Sequence, residues 1–162
     1  MARVSCSHTN GGAWAIGVLC LGVSLGSGYR VSASQPAPTT SLTVRVQGLG
    51  NDRGRVAVAL FASAADFPDQ KRALRGQLSP IKGGRAAATF HDLKPGTYAA
   101  AILHDENQNA EMDFNWLGMP LEGYGFSNDA AGTFGPPSFE AAAFRLSPRP
   151  SGIKVTARYF GL

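Results

Sequence analysis

Residues 91–98 of this chain read His91-Asp92-Leu93-Lys94-Pro95-Gly96-Thr97-Tyr98, and this stretch decides the fold class. Proline sets φ at the second position of a turn and glycine accepts the positive φ of the third, so Pro95-Gly96 predicts a type II turn. Tyr98 follows at the start of a strand. In β-sandwich domains a tyrosine at such a corner bonds its hydroxyl to nearby backbone, so the stretch indicates a sandwich.

Alternation of apolar and polar residues continues on both sides of this turn, as is typical of half-buried strands. It predicts strands over about 85–90 and 97–103, and a closing strand that runs from Ile153 to Tyr159. The domain is therefore predicted to be all-β, an antiparallel β-sandwich of about seven strands.

Two further strands are predicted earlier in the chain, over residues 42–47 and 56–61. Residues 48–54 between them read GLGNDRG and are rich in residues that suit turns. Two alternating segments joined by such a turn predict a β-hairpin.

The segment between Leu103 and Arg145 has no period and is rich in glycine, proline and aromatic residues. A loop of this length is usually functional or disordered. Its many aromatic side chains favour an ordered loop at one end of the sandwich. Ser138 is a suitable N-cap, which predicts a short helix over residues 138–144.

Residues 1–33 have the features of a secretory signal peptide that is removed. Arg3 precedes an apolar run over residues 13–25, and Val31-Ser32-Ala33 offers small residues for cleavage. This run is shorter than the roughly 20 residues of a spanning helix, so no membrane span is expected after cleavage. Residues 34–41 are then a leader and 42–162 the sandwich domain. The protein is expected to be exported, to the periplasm or outside the cell.

Removal of the signal would also take away both cysteines, Cys6 and Cys20, which excludes disulfides and a cysteine nucleophile from the mature domain. Arg3 and Arg30 leave as well, so 13 of the 15 basic residues face 11 acidic ones. The basic residues are scattered. Neither nucleic-acid binding nor a membrane-binding helix is indicated.

The sharpest candidate site is the run of oxygen-bearing side chains from residue 105 to residue 113. In a calcium loop, ligands occupy alternate positions. Five residues match that spacing, the fourth through its backbone carbonyl: Asp105, Asn107, Asn109, Glu111 and Asp113. Ala110 and Trp116 stand where the template has glycine and a bidentate glutamate. Two interpretations stay open, a weak calcium site with Kd of about 10⁻⁴ to 10⁻³ M, or an Asx-rich turn that caps its own backbone.

A second candidate lies in the aromatic stretch that follows, WLGMPLEGYGFSN over residues 116–128. Aromatic rings combine apolar faces with polar tips, so they can form a platform for a sugar, a peptide or a lipid. The candidate ligand-binding residues are Trp116, Tyr124, Phe126 and Asn128. In the alternative interpretation these rings fill a secondary core beneath the loop.

Catalysis is the least favoured class of function. His104 and Asp105 are adjacent, but the sequence places no serine in a nucleophile-elbow context for a hydrolase to use. The histidines are too few and too dispersed for a zinc site. No catalytic residue and no cofactor other than calcium is expected.

Four segments together are similar to a known bacterial family: residues 104–109, 116–120, 122–128 and 134–139. The chain resembles domain-of-unknown-function family 2141 (DUF2141), exported proteins whose role is uncharacterised, over roughly residues 42–159. The family commonly reads H-D-x-N-x-N-G-x-x-D, so Asp105, Asn107, Asn109 and Asp113 match, whereas Ala110 replaces the usual glycine. The resemblance implies an immunoglobulin-like or transthyretin-like sandwich and supports export. It implies no substrate.

From these observations we expect a non-catalytic binding or accessory module of the cell envelope, with an envelope ligand or protein of unknown identity as its partner. A purely structural envelope protein is the alternative. A hydrolase that uses His104 and Asp105 is a remote alternative.

Overall fold

The structure is a computed structural model that describes residues 38–133 and 135–160. The predicted signal peptide, residues 1–33, lies outside the described residues, as do residues 34–37 of the predicted leader. Residues 36–162 form one compact unit, and the described hydrophobic core lies wholly within it. Among the described residues no helix is long and apolar enough to cross a bilayer.

Within the described residues, eight strands form two sheets that share one core. The strands are β1 (Thr40–Gln47), β2 (Arg55–Phe61), β3 (Arg75–Ser79), β4 (Ala86–Leu93), β5 (Gly96–Asp105), β6 (Gly123–Phe126), β7 (Phe144–Leu146) and β8 (Ser151–Thr156). One sheet has the order β4-β1-β8, and the other has the order β3-β2-β5-β6, with β7 also paired to β5. Both sheets contribute side chains to the core, which confirms the predicted sandwich. Since β1 begins at Thr40, two residues of the predicted leader belong to the domain.

The predicted β1–β2 hairpin is wrong. β1 pairs with β4 and β8, whereas β2 pairs with β3 and β5, so residues 48–54 carry the chain from one sheet to the other. A paired hairpin and a crossing between two sheets give the same alternation of apolar and polar residues, because in both cases each strand buries one face in the core. The crossing segment is held by Asp52, whose carboxylate accepts the backbone N–H groups of Gly83 and Gly84 at 2.7 Å each.

The predicted corner at Pro95-Gly96 is confirmed, but the turn type is wrong. The segment connects β4 in one sheet with β5 in the other, and the Tyr98 hydroxyl donates to the Lys94 carbonyl at 2.7 Å. Gly96 does not have the positive φ that a type II turn requires at that position. Asp92 has a φ of 55° instead, so the change of direction begins three residues before the proline.

The closing strand also differs from the expectation of purely antiparallel pairing. β8 lies parallel to β1, with Val44 opposite Ile153 and Val46 opposite Val155. The predicted short helix is confirmed as α1 (Phe139–Ala142), where the Ser138 side chain accepts the backbone N–H of Ala141 at 3.3 Å.

The two long seams of the sandwich are closed differently. Along one seam, Tyr124 and Arg158 exchange backbone hydrogen bonds of 2.9 and 2.8 Å, which joins β6 to the segment after β8. Along the other seam, β3 and β4 are outer strands of their sheets. There the Arg75 guanidinium donates to the His91 carbonyl at 3.0 Å.

Candidate functional site

The outer face of the five-stranded sheet carries a second apolar cluster. Small side chains on β2 and β5, including Ala59, Ala99 and Ala101, leave room above the sheet. Phe67 from the β2–β3 connection fills part of this room. Its ring meets those of Phe61, Phe126 and Phe139 edge-on, at centroid distances of 5.3, 5.6 and 5.9 Å. The long loop therefore packs on the sheet as an ordered structure.

Beside this cluster the same face opens into a cavity of about 840 Å³, which we call the sheet groove. Ala101, Tyr124 and Phe126 line it from the sheet. The other walls come from residues 68–71, 110–112, 114 and 118–120, and from Gly132, Thr133, Gly135, Pro136 and Phe160. Its volume falls within the range of about 300 to 1,000 Å³ that is typical of small-molecule sites.

The chemistry of the sheet groove is mainly apolar. Met112 and Met119 contribute flexible, polarisable side chains that adapt to irregular ligands. Charge is present where Lys71 and Glu111 pair at 3.3 Å, and both side chains are exposed. The groove can therefore hold an apolar or aromatic group beside a polar one.

The structure brings only two of the four predicted platform residues together. Tyr124 and Phe126 both line the sheet groove, with ring centroids 6.2 Å apart. Trp116 does not line it, and its side chain is exposed to solvent instead. Asn128 is also outside it, and its amide donates to the carbonyls of Ala141 and Ala143 at 3.3 and 2.8 Å.

Asn128 belongs to a tether whose central residue is Ser127. β6 pairs with residues 101–104 of β5 and β7 pairs with residues 96–98, which leaves a gap between them on the same edge. The fully buried Ser127 hydroxyl fills this gap. It accepts the Ala100 N–H at 2.9 Å and donates to the Ala142 carbonyl at 2.5 Å. The tether fixes α1 against the sheet.

The predicted calcium loop begins at a buried carboxylate. Asp105 is fully buried at the end of β5, and its oxygens accept the N–H groups of Asn109 and Ala110 at 3.0 and 3.1 Å. The Arg55 guanidinium lies 3.2 Å from the same carboxylate. Ala110 has a φ of 62°, so it adopts the left-handed conformation for which the template uses glycine.

The side chains after Asp105 converge. The amides of Asn107 and Asn109 donate to the Asp113 carboxylate at 2.6 and 3.1 Å. The side-chain oxygens of the same two asparagines accept the N–H groups of Asn109 and Glu111, which is the pattern of an Asx-rich turn. Within residues 38–133 and 135–160, no three His, Cys, Asp or Glu side chains are grouped so that they could hold a metal ion.

Glu122, one of the acidic residues that could add to this loop from elsewhere in the chain, contacts it from outside. Its buried carboxylate accepts the N–H groups of Glu106 and Asp113 at 3.0 and 3.4 Å. Burial raises the pKa of Glu122, against the lowering effect of these two N–H groups, and the nearby Asp113 and Asp105 charges raise it further. Of the three acidic residues that follow the loop in the sequence (Glu122, Asp129 and Glu140), Glu122 is the one that hydrogen-bonds to the loop backbone.

His104 lies next to the loop but is fully buried. Its Nε2 contacts the Arg53 carbonyl at 2.9 Å, so this nitrogen carries the proton, and its Nδ1 lies 2.6 Å from the Tyr159 hydroxyl. That hydroxyl accepts the Gly50 N–H at 2.8 Å. Burial raises the pKa of Tyr159, against the lowering effect of the Gly50 N–H. The arrangement binds the end of the chain to β5 and to the crossing segment.

Most of the groove-lining residues were not predicted. Met112, Phe114 and Met119 lie in the segment that was predicted to be an ordered loop, and Phe160 follows the predicted closing strand. The one available signal was the clustering of methionine and aromatic residues from 112 to 126.

Similar solved structures include two structures of a pilus-presented adhesin, Spy0125 (Cpa), both in the same crystal form. The first is 16% identical with a TM-score of 0.26, and the match covers 75% of this chain and 28% of the adhesin chain. The second is 14% identical with a TM-score of 0.27, and covers 76% and 27% of the two chains. The comparison with curated proteins finds no match.

A family model matches a segment that runs from within β1 to within β8, and so includes both sheets, the calcium-like loop over residues 105–113 and most of the sheet groove. That model, described as "Uncharacterized protein conserved in bacteria (DUF2141)", matches residues 44–154, and this chain belongs to that family.

Proposed function

We propose that this protein is an exported, non-catalytic binding module of the bacterial cell envelope, which holds a small and largely apolar ligand in the sheet groove. Export is supported by the signal-like features of residues 1–33 and by the confinement of both cysteines to that segment. The observation that carries the binding proposal is the groove of about 840 Å³ with Tyr124 and Phe126 in its lining.

The ligand class follows from what lines the groove. Tyr124 and Phe126 offer ring faces, Met119 offers an adaptable thioether, and Lys71 and Glu111 offer charge of both signs. This combination suits a ligand with an aromatic or alkyl body and one polar group. A polar sugar without an apolar face fits it less well.

A neutral aromatic probe, N-phenyl-1-naphthylamine, tests the groove directly. We expect a saturable rise of probe fluorescence with residues 36–162, which form one compact unit. Met119→Ala is expected to weaken probe binding about five- to tenfold, since it removes about 1 kcal/mol of apolar contact. Fluorescence titration measures both values.

Leu74→Ala is the matched control, because Leu74 is an exposed apolar residue outside the groove. It should leave probe binding unchanged. Absence of saturable binding, or equal binding by Met119→Ala and the parent protein, would favour the purely structural alternative and overturn the groove proposal.

We also propose that the loop from Asp105 to Asp113 takes up calcium weakly. The left-handed Ala110 gives the loop the bend that the template requires, and Asn107, Asn109 and Asp113 already converge. Glu122 places a further carboxylate beside Asp113. A divalent cation would relieve the mutual repulsion of these carboxylates.

Calcium at 5 mM is expected to raise the melting temperature, whereas magnesium at 5 mM is not. For a Kd of about 1 mM the gain in the free energy of unfolding is about 1 kcal/mol, or about 4 °C. Asp113→Asn should abolish the shift. The control is Asp66→Asn, which removes an exposed carboxylate that pairs with Arg72 outside the loop. If calcium did not change the melting temperature of the parent protein, the calcium proposal would be overturned and the loop would be only an Asx-rich turn.

A further inference from the structure

The segment after the calcium-like loop forms a tight hairpin over residues 113–121, which we call the apolar hairpin. Residues 114 and 118–120 of the hairpin also line the sheet groove, whereas Trp116 and Leu117 at its tip do not. Its arms are joined by backbone bonds of 2.9 Å from Leu121 to Asp113 and from Asn115 to Met119. The Asn115 side-chain oxygen accepts the N–H groups of Leu117 and Met119 at 2.9 and 3.0 Å. The hairpin is therefore closed by backbone hydrogen bonds and by the Asn115 side chain.

The tip of this hairpin presents large apolar side chains to solvent. Trp116 is 90% exposed and Leu117 is 58% exposed, while Phe114 and Leu121 on the arms are exposed to a similar degree as Leu117. Residues 114–121 read FNWLGMPL and contain no charged residue. Large apolar groups concentrated on one exposed element mark an interaction site.

The two carboxylates that flank the hairpin are engaged in the body of the domain. Asp113 accepts the amides of Asn107 and Asn109, and Glu122 is buried against backbone N–H groups. The exposed surface of the tip is consequently uncharged. It would enter a neutral, apolar medium without desolvating an ionised side chain.

We propose that the apolar hairpin inserts its tip, Trp116 and Leu117, into the interfacial layer of a lipid bilayer and so docks the domain on a membrane surface. The tip projects outward and Trp116 does not line the sheet groove. The fluid interfacial layer of a bilayer can adapt to the shape of an exposed tryptophan and leucine. Tryptophan is also enriched at the membrane interface. The uncharged tip matches zwitterionic lipid, so docking requires neither anionic lipid nor low salt.

This proposal is independent of the groove ligand, because the groove and the tip use different side chains. Met119→Ala should weaken binding of the naphthylamine probe and leave membrane docking intact. Replacement of Trp116 and Leu117 should do the reverse. Failure of one proposal is therefore distinguishable from failure of the other.

The test uses residues 36–162 and phosphatidylcholine vesicles. Trp116 is the single tryptophan of these residues, so its emission reports on the tip alone. We expect co-flotation of the protein with the vesicles, a blue shift of Trp116 emission and quenching by lipids brominated on their acyl chains. Binding should change less than twofold when phosphatidylglycerol is added or when salt is raised.

The double variant Trp116→Ala/Leu117→Ala is expected to lose at least tenfold in vesicle binding by flotation. Leu74→Ala/Leu78→Ala is the matched control, since it removes two exposed leucines elsewhere and should bind as the parent does. Absence of flotation, equal flotation of the tip variant, or flotation without a shift of Trp116 would overturn the proposal. A blue shift that depends on protein concentration without vesicles would also overturn it, in favour of self-association.

Discussion

Replacement of Gly54 by alanine is expected to lower the free energy of unfolding by about 3 kcal/mol or more. Gly54 has a φ of 67°, which costs a residue with a side chain about 1 to 2 kcal/mol. The added Cβ would overlap the carbonyl oxygen of Asp105 and lie 2.6 Å from the Cα of Glu106. Both obstacles are backbone at the end of β5, so neither can rotate away. Urea denaturation measures the loss.

Gly76→Ala is the matched control for this prediction. Gly76 lies in the outer strand β3, and an added Cβ would meet no atom within 4 Å. Its free energy of unfolding should change by less than about 0.5 kcal/mol. If the two variants proved equally stable, the close approach of the crossing segment to β5 would be contradicted.

The second large effect is expected for Ser127→Ala. The buried Ala100 N–H would lose its acceptor and the Ala142 carbonyl would lose its donor, at about 1 to 3 kcal/mol each. We therefore expect a loss of about 2 to 6 kcal/mol in the free energy of unfolding. Amide hydrogen exchange over residues 139–146 should accelerate, because α1 and β7 would lose their attachment.

Ser147→Ala provides the comparison, since the Ser147 hydroxyl is exposed and contacts only the backbone of Arg149. It should leave both stability and exchange rates near those of the parent protein. Similar values for the two serine variants would mean that the gap between β6 and β7 does not need a hydroxyl.

Short sequence motifs predicted those parts of the fold that are formed by residues close together in the chain. The hydrogen bond from Tyr98 to Lys94 joins residues four positions apart, so the short motif around the turn was enough to predict it. The cap of α1 is equally local, since the Ser138 side chain accepts a backbone N–H three residues further along the chain. The alternation of residues 42–47 identified a strand because one face is buried in the core.

Strand pairing was harder to predict, because alternation records burial and not the neighbouring strand. The crossing at residues 48–54 is rich in turn residues whether it joins paired strands or opposite sheets. β3 was missed altogether, since only Ser79 among its five residues is buried and no alternation results.

In the candidate site too, contacts within one short segment were predicted from the sequence, whereas contacts between distant segments were not. The bend at Asp105 was visible as a spacing of oxygen side chains, and the convergence of Asn107, Asn109 and Asp113 follows from it. The groove-lining position of Phe160 depends on contacts between distant segments, which spacing along the chain does not encode.

The unequal closure of the two seams limits how this domain can be extended. Where Tyr124 and Arg158 exchange backbone bonds, the two sheets are joined at their edges. On the opposite side, β3 and β4 are outer strands, and among the described residues no further strand pairs with either of them there. An additional strand, supplied by an insertion in a relative or by another polypeptide, can thus lengthen either sheet on that side. Arg75 lies on this side, where its guanidinium connects β3 to the His91 carbonyl of β4.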